Sequence, residues 1–300
     1  MVLSDFLSFL GGEIDDVWEE AFLLFSQSIP SQNLGFVDQA ATTIEVSIGG
    51  RDLLIHQSPT VLSSNRSGGT TGAVVWKITP LVASWLSSPN NFLFKQDVLD
   101  VSSSVLELGC GIAGIIGLAV APRVKTYVLT DQDYVMKLLK LNIARNQMDT
   151  MSSNKVRESS SKSKSKGVAS PPMCNIMTQP LDWETDEVTP SLTNSKSEKS
   201  FDLVLACDCI YNDALIAPLV QTCVDACKMR VTDPEHTQST LCVVAQQLRS
   251  NEVFEGWLKS FHESFHVWRV PDEVLSDGLK SDSGFVVHVG VLREKHCTPS

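Results

Sequence analysis

From about residue 103 onward, short apolar runs alternate with longer stretches whose apolar positions fall three and four apart. The first pattern is that of a strand buried on both faces, the second that of a helix with one apolar face. Strands are predicted at 103–108, 126–130, 175–179, 201–206 and 241–246, and helices at 113–120, 131–147, 214–229 and 251–265. In the helix at 131–147, Val135, Leu138, Leu139 and Ile143 share a face. Strands and helices in alternation give a parallel sheet with right-handed crossovers. Two last runs, at 266–270 and 285–293, have no helical stretch between them and are expected to close the sheet as an antiparallel pair.

Upstream, the runs 42–47 and 51–56 flank Ile48-Gly49-Gly50, a hairpin signal. Thr79-Pro80 is expected to start or kink a helix, with Thr as cap and Pro in the first turn, and Trp85 is expected in the core. The segment 150–172 holds eight serines and ends in Ala169-Ser170-Pro171-Pro172, so it cannot bury enough to order itself. With the milder Ser/Thr/Lys stretch at 189–200 it reads as solvated surface loop; a basic arm touching RNA is the alternative. The expected fold is α/β: a seven-stranded, doubly wound, Rossmann-like sheet with an antiparallel final strand and an N-terminal β-hairpin extension. The extension would occupy 1–67. The main domain would occupy 68–300 and carry a disordered insert at 150–172.

Composition narrows the classes. Hydrophobic residues make up 43% and charged residues 20%, enough for a sizeable core. The apolar stretch Gly109 to Pro122 is Gly-rich and well short of the roughly 20 residues that span a bilayer, so no membrane helix is expected. The first 20 residues hold Asp5, Glu13, Asp15, Asp16, Glu19 and Glu20 with no Lys or Arg, unlike a secretory or mitochondrial leader. A cytoplasmic location follows, with the nucleus as the alternative. The net charge of −11 argues against broad binding to a phosphate backbone and suits a basic protein partner. Lys155, Arg157, Lys162, Lys164 and Lys166 oppose only Glu158 in the 150–172 segment, which leaves the remainder more acidic still. The eight cysteines lie mostly in apolar runs without metal spacing, so reduced thiols and no metal site are expected.

The strongest chemical motif is Glu107-Leu108-Gly109-Cys110-Gly111-Ile112-Ala113-Gly114, between a strand and a helix. Gly109 and Gly111 allow a tight turn and a close backbone approach to a ligand, and Gly114 close packing of the helix. Asp131, 20 residues after Gly111 at the end of the next strand, can accept both hydroxyls of a ribose. That much fits a dinucleotide as well as a nucleoside bearing methionine. Glu107 shifts the balance, because a carboxylate facing the ligand repels a pyrophosphate and attracts an ammonium. The motif also sits more than 100 residues into the chain, and the fourth sheet strand ends in Asp208-Cys209-Ile210-Tyr211. An acid at the carboxyl end of a parallel strand faces the ligand crevice.

Thr71-Gly72-Ala73-Val74-Val75-Trp76, the glycine turn, Asp131, Leu181-Asp182-Trp183 and Asp208-Cys209-Ile210-Tyr211 occur in the order and spacing of the seven-β-strand protein-lysine methyltransferases. The chain resembles that family from about residue 35 onward. The hairpin, Gln57-Ser58 and Thr70-Thr71-Gly72 are most like the fungal ribosomal lysine N-methyltransferase 5 group. The resemblance implies S-adenosyl-L-methionine as cofactor. Trp76 would lie over it, Glu107, Gly109, Cys110 and Gly111 would cradle its methionine part, and Asp131 would hold its ribose. Trp183 and Cys207 would line its adenine and methionine end. Asp208 and Tyr211 would form the substrate pocket, with Asp208 binding the incoming lysine ammonium. The implied partner is ribosomal protein L1 of the large subunit, met by a monomeric enzyme without direct nucleic-acid binding. Methylation of another protein lysine, of RNA or of a small molecule, and a non-catalytic scaffold that only binds the donor, remain the alternative readings.

Overall fold

Every run expected as a sheet strand forms one of five to eight residues; the central strands are almost wholly buried, while in the edge strand at 176–180 only Ile176 is. The computed structural model describes residues 3–30, 35–65, 69–158, 175–195, 198–231, 233 and 238–294. The chain opens with helices α1 (Leu3–Phe9) and α2 (Val17–Phe25), then the hairpin β1 (Thr43–Ile48) and β2 (Arg51–His56). Helices α3 (Pro59–Leu62), α4 (Ile78–Ser87) and α5 (Phe92–Lys95) lead to β3 (Ser104–Leu108). There follow α6 (Ile115–Val120), β4 (Thr126–Asp131), α7 (Asp133–Glu158), β5 (Ile176–Pro180) and β6 (Leu203–Cys207). The chain then runs through α8 (Ile216–Val231), β7 (Leu241–Gln247), α9 (Asn251–Ser264), β8 (Phe265–Arg269) and β9 (Phe285–Leu292).

The seven-stranded sheet has the order β5-β4-β3-β6-β7-β9-β8. Its strands are parallel except β9, which pairs antiparallel with β7 and with β8. The antiparallel strand therefore lies one place inside the edge. The crossover through α9 carries β8 past an open position, and the return from β8 fills it without a second crossover. Strand order reverses between β3 and β6, so the crevice at their carboxyl ends is the place where a doubly wound sheet binds ligands. One core cluster joins α1, the hairpin, α4, α6 and the buried side of α7 to one sheet face. The other joins α2, α8 and α9 to the opposite face.

Several expectations need correction. The N-terminal extension has the expected hairpin but also a helix that was not expected: Asp16 caps α2 by accepting from the backbone N–H of Trp18 and Glu19, and Val17, Ala21 and Leu24 face the core at helical spacing. Helix α4 begins at Ile78 with no side-chain cap, so Thr79-Pro80 lies inside its first turn, where the N–H that proline lacks has no intrahelical partner anyway. Helix α6 begins at Ile115, after a cap at Gly114. The segment expected as a disordered insert at 150–172 starts as helix, because α7 runs to Glu158; the rest of it lies outside the described residues. The stretch 189–200 is not simply solvated. Leu192 and Thr193 are buried, and Glu198 accepts from Ser104 Oγ at 2.8 Å and pairs with Lys125. Trp85 is in the core as expected, its indole N–H donating to Val274 O at 2.8 Å.

Helix α7 also completes the hairpin. Asn142 Oδ1 accepts from His56 N–H at 2.9 Å while its Nδ2 donates to His56 O at 2.8 Å. One turn later, Asn146 does the same for Leu54, at 2.9 and 3.1 Å. Two amides at i and i+4 thus stand in for a neighbouring strand along the edge of β2. Asn142 Nδ2 also donates to Ile112 O at 2.8 Å, tying hairpin, helix and glycine turn together. Replacing Asn142 by Ala strands three backbone groups, each costing about 1–3 kcal/mol when buried and unpaired. Denaturant unfolding of Asn142→Ala is expected to show a loss of about 3 kcal/mol or more. A midpoint equal to wild type would mean that water replaces the amide at no cost.

Candidate active site

The crevice at the switch point is a cavity of about 280 Å³. Each residue expected at the site lines it: Trp76; Glu107 and the turn Gly109-Cys110-Gly111 at the end of β3; Asp131 at the end of β4; Trp183 after β5; and Cys207, Asp208 and Tyr211 at and after the end of β6.

The turn is built for close approach. Gly109 has φ 66° and Gly111 φ 63°, in the left-handed region that disfavours a Cβ. A Cβ on Gly109 would lie 2.7 Å from Cys209 Sγ and 2.9 Å from the Trp183 ring. The turn is pinned by Cys110 N–H to Thr130 O at 3.0 Å, Ile112 N–H to Gly72 O at 2.9 Å and Gly111 N–H to Asp131 Oδ2 at 2.8 Å. Asp131 Oδ1 accepts from Gln132 N–H at 2.7 Å, so each oxygen keeps room for another bond. Gly114 packs against the side chains of Leu139 and Ile143 on α7 and Leu129 on β4.

Two carboxyls face this space, and among the described residues neither is paired with a cation. Glu107 is 1% exposed and accepts from Tyr127 Oη at 2.7 Å. Desolvation raises it to about 7, against the pull of the Tyr127 hydrogen bond and with a push from Asp131. Desolvation also raises Asp131 to about 6, opposed by the N–H groups of Gly111 and Gln132. Burial pushes the thiols of Cys110, Cys207 and Cys209 well above their ordinary value, so all three stay neutral. A raised carboxyl favours the fold at low pH: its contribution is complete below about 4.5 for Glu107 and fades as pH rises through about 7. Glu107→Gln keeps an acceptor for Tyr127 and removes this slope. Wild type is therefore expected to lose on the order of 2 kcal/mol relative to Glu107→Gln between pH 5 and pH 8, read by chemical denaturation. Parallel pH curves would place the ionisation elsewhere.

The other half of the cavity holds Asp208, the residue after β6. It adopts φ 59°, an uncommon conformation for a residue with a side chain, and its N–H extends the sheet ladder to Ala245 O at 2.8 Å. Its carboxylate is held by Arg249, Nη1 to Oδ1 at 2.6 Å and Nη2 to Oδ2 at 2.7 Å. The guanidinium carbon lies 5.2 Å from the centre of the Trp76 ring, which also packs against Phe36 with ring centres 4.5 Å apart. Trp76 Nε1 donates to Thr71 O at 3.0 Å. Tyr211, 40% exposed, accepts from Thr71 Oγ1 at 2.9 Å, and desolvation raises its hydroxyl. Trp183 presents a buried indole N–H with no partner among the described residues.

Sequence reasoning missed Arg249 and Phe36. Arg249 stands two residues beyond the carboxyl end of β7, the same signal that pointed to Asp208 after β6. Phe36 reaches Trp76 through an isolated antiparallel bridge, and no local pattern marks it.

Residues 56–162 and 164–259 match the family model described as lysine methyltransferase. The ribosomal lysine N-methyltransferase 5 of Vanderwaltozyma polyspora is 28% identical over 306 residues, 87% of this chain and 93% of that one. A diaminohydroxyphosphoribosylamino-pyrimidine deaminase of Schizosaccharomyces pombe is 30% identical over 255 residues, 85% of this chain; the chain spans only 53% of that protein's length. The N-methyltransferase NodS of Bradyrhizobium japonicum, solved with S-adenosyl-L-homocysteine, is 15% identical with a TM-score of 0.37, over 68% of this chain and 88% of that one.

Proposed function

The chain belongs to the lysine methyltransferase family, and from that premise we propose that it methylates the ε-amine of a lysine in a ribosomal protein, L1 of the large subunit, using S-adenosyl-L-methionine. The observation that carries this reading is that one cavity of about 280 Å³ holds both the glycine turn with its two carboxyls and the Asp208–Tyr211 pair. The V. polyspora relative supports the ribosomal part by its name. The motifs that resemble the same group support L1, and an acidic chain of net charge −11 suits a basic ribosomal protein. A ribosomal substrate would place its action in the cytoplasm. Among the described residues no helix is long and apolar enough to cross a membrane.

The residues fit the cofactor. A Cβ on Gly109 would collide with Cys209 Sγ and the Trp183 ring, so the turn presents bare backbone to the cavity; among the described residues no cation pairs with Glu107 or Asp131 and no acceptor meets the Trp183 N–H. When bound, S-adenosyl-L-methionine supplies a methyl group made electrophilic by a sulfonium. Glu107 accepts from the ammonium of the amino-acid part, and Asp131 accepts the ribose hydroxyls. Trp76 and Trp183 cover apolar surface and exclude water. Asp208 accepts an N–H of the lysine amine and Tyr211 narrows the approach, so the nitrogen lone pair is aimed along one line. Positioning of this kind carries most of a displacement that needs only a neutral amine and a good leaving group. Because a cationic ligand requires ionised Glu107, affinity for S-adenosyl-L-methionine rises with pH through about 7.

Purified L1, incubated with the enzyme and methyl-labelled cofactor and digested for mass spectrometry, is expected to carry methyl-lysine. If a ribosomal-protein extract is labelled on another protein and L1 is not, the substrate changes and the activity stands. Label in RNA alone would overturn the lysine reading.

A further inference from the structure

The ion pair between Asp208 and Arg249 has a chemical consequence for the amine that must reach Asp208. Lysine is protonated in water, with a pKa near 10.4, and only its neutral form has the lone pair that attacks. A free carboxylate at the end of the pocket would bind the ammonium as a counter-ion and raise its pKa, which stabilises the unreactive form. In this cavity the carboxylate is already neutralised. We propose that Arg249 is a positioning residue that occupies Asp208 so that the pocket accepts the neutral lysine amine and disfavours the ammonium; this rests on the lysine methyltransferase reading above.

The geometry supports this in three ways. A carboxylate has about four acceptor positions. The Arg249 fork takes two at 2.6 and 2.7 Å, and the Gln247 N–H lies 3.4 Å from Oδ1, so Oδ2 keeps the open position, enough for one amine N–H. The Asp208 side chain is 3% exposed, which removes water as a competing solvent for its charge. Arg249 is also the only Lys or Arg among the described residues lining the cavity, and it stands on the substrate side, beside Trp76. The planar guanidinium matters as well as the charge, because a fork fixes both oxygens where an ammonium would hold one.

The other ionisable groups that face Asp208 do not supply a competing charge. Cys207 and Cys209, on either side of it, are pushed upward by burial, and so is the Tyr211 hydroxyl from the loop after β6. Glu107 and Asp131 sit on the cofactor side; their titration governs cofactor binding and is removed by working at saturating cofactor. What then titrates between about pH 7 and 10 in the ternary complex is the substrate amine.

The test is a pH profile of kcat at saturating S-adenosyl-L-methionine for wild type, Arg249→Gln and Arg249→Lys. The substrate is L1, or the ribosomal protein that wild type labels if L1 accepts nothing. In Arg249→Gln the acid limb of kcat is expected to move up by about one to three pH units, the scale set by a charge at this range. At pH 7 kcat falls about tenfold or more while KM for the lysine substrate stays level or drops, and raising the pH recovers the rate. Arg249→Lys keeps the charge and loses the fork, so its limb stays near wild type and kcat falls at every pH. A merely structural role would lower kcat in both variants with no movement of the limb, and that result overturns the proposal. Should Arg249→Gln fail to fold, calorimetry of wild type with its substrate at pH 7.5, in two buffers of different ionisation enthalpy, decides instead. Release of close to one proton per bound lysine supports the proposal and binding without proton release overturns it. No methyl transfer to any lysine by wild type would overturn the functional reading, and this inference with it; transfer with an unmoved limb overturns the inference alone.

Discussion

Asp208→Asn is expected to lower methyl transfer by at least about 100-fold while affinity for S-adenosyl-L-homocysteine stays within a few-fold of wild type. The amide keeps the shape of the carboxylate and tolerates the left-handed backbone at φ 59° better than most residues, so folding is preserved. What changes is the acceptor. An amide offers one oxygen where the carboxylate offers two, so the Arg249 fork and the lysine N–H compete for it, and the amine loses its alignment. Loss of a positioned polar partner in the transition state has this magnitude, and Glu107, Asp131 and the glycine turn make no hydrogen bond to the substituted carboxylate. Calorimetry for binding and methyl incorporation for turnover, on the same preparation, separate the two quantities. Near-normal turnover would make Asp208 a structural residue, and equal losses in binding and turnover would mean that the site collapses as a unit.

The second large effect is expected at Gly109. Gly109→Val places a branched side chain where a single Cβ already falls 2.7 Å from Cys209 Sγ and 2.9 Å from Trp183, at a backbone φ of 66°. Neither neighbour can retreat easily: Cys209 is 5% exposed and its thiol donates to Leu108 O at 3.3 Å, and the Trp183 ring packs against the core cluster on that side of the sheet. The valine must therefore occupy ligand space or reshape the turn, and either removes cofactor binding. Affinity is expected to fall by two orders of magnitude or more, with turnover following it, unlike the separation expected at Asp208. Retention of wild-type affinity by calorimetry would remove the glycine turn from the cofactor site.

Much of this molecule could be read from its residues. The sheet strands emerge because Val105-Leu106, Val204-Leu205 and Val243-Val244 belong to runs apolar on both faces, a pattern that only a strand covered on two sides explains. The cavity residues emerge because a glycine turn and an acid after a strand each have few structural uses. The misses have equally physical causes. Helix α2 was legible in hindsight from its Asp16 cap and the buried spacing of Val17, Ala21 and Leu24, but nine residues amid acidic sequence give a weak periodic signal. The true start of α4 was hidden because proline is tolerated throughout a first turn, not only at its opening position. Arg249 was missed because its place beyond the end of β7 marks the crevice but not its partner: an ion pair 41 residues apart in sequence is made only where the two strand ends lie side by side in the sheet.

The asparagine pair on α7 bears on how the molecule breathes. A lone two-stranded hairpin is marginal in water and opens on its own. Here the amides of Leu54 and His56 are bonded to side chains of a helix whose first turns pack into the core through Val135 and Leu139. Their hydrogens can exchange with solvent only when Asn142 and Asn146 let go, so they belong to the opening unit of α7 and not to that of the hairpin. In deuterium-exchange terms the peripheral β2 edge behaves as core, while the outward amides of β1 remain the fast reporters of local fraying.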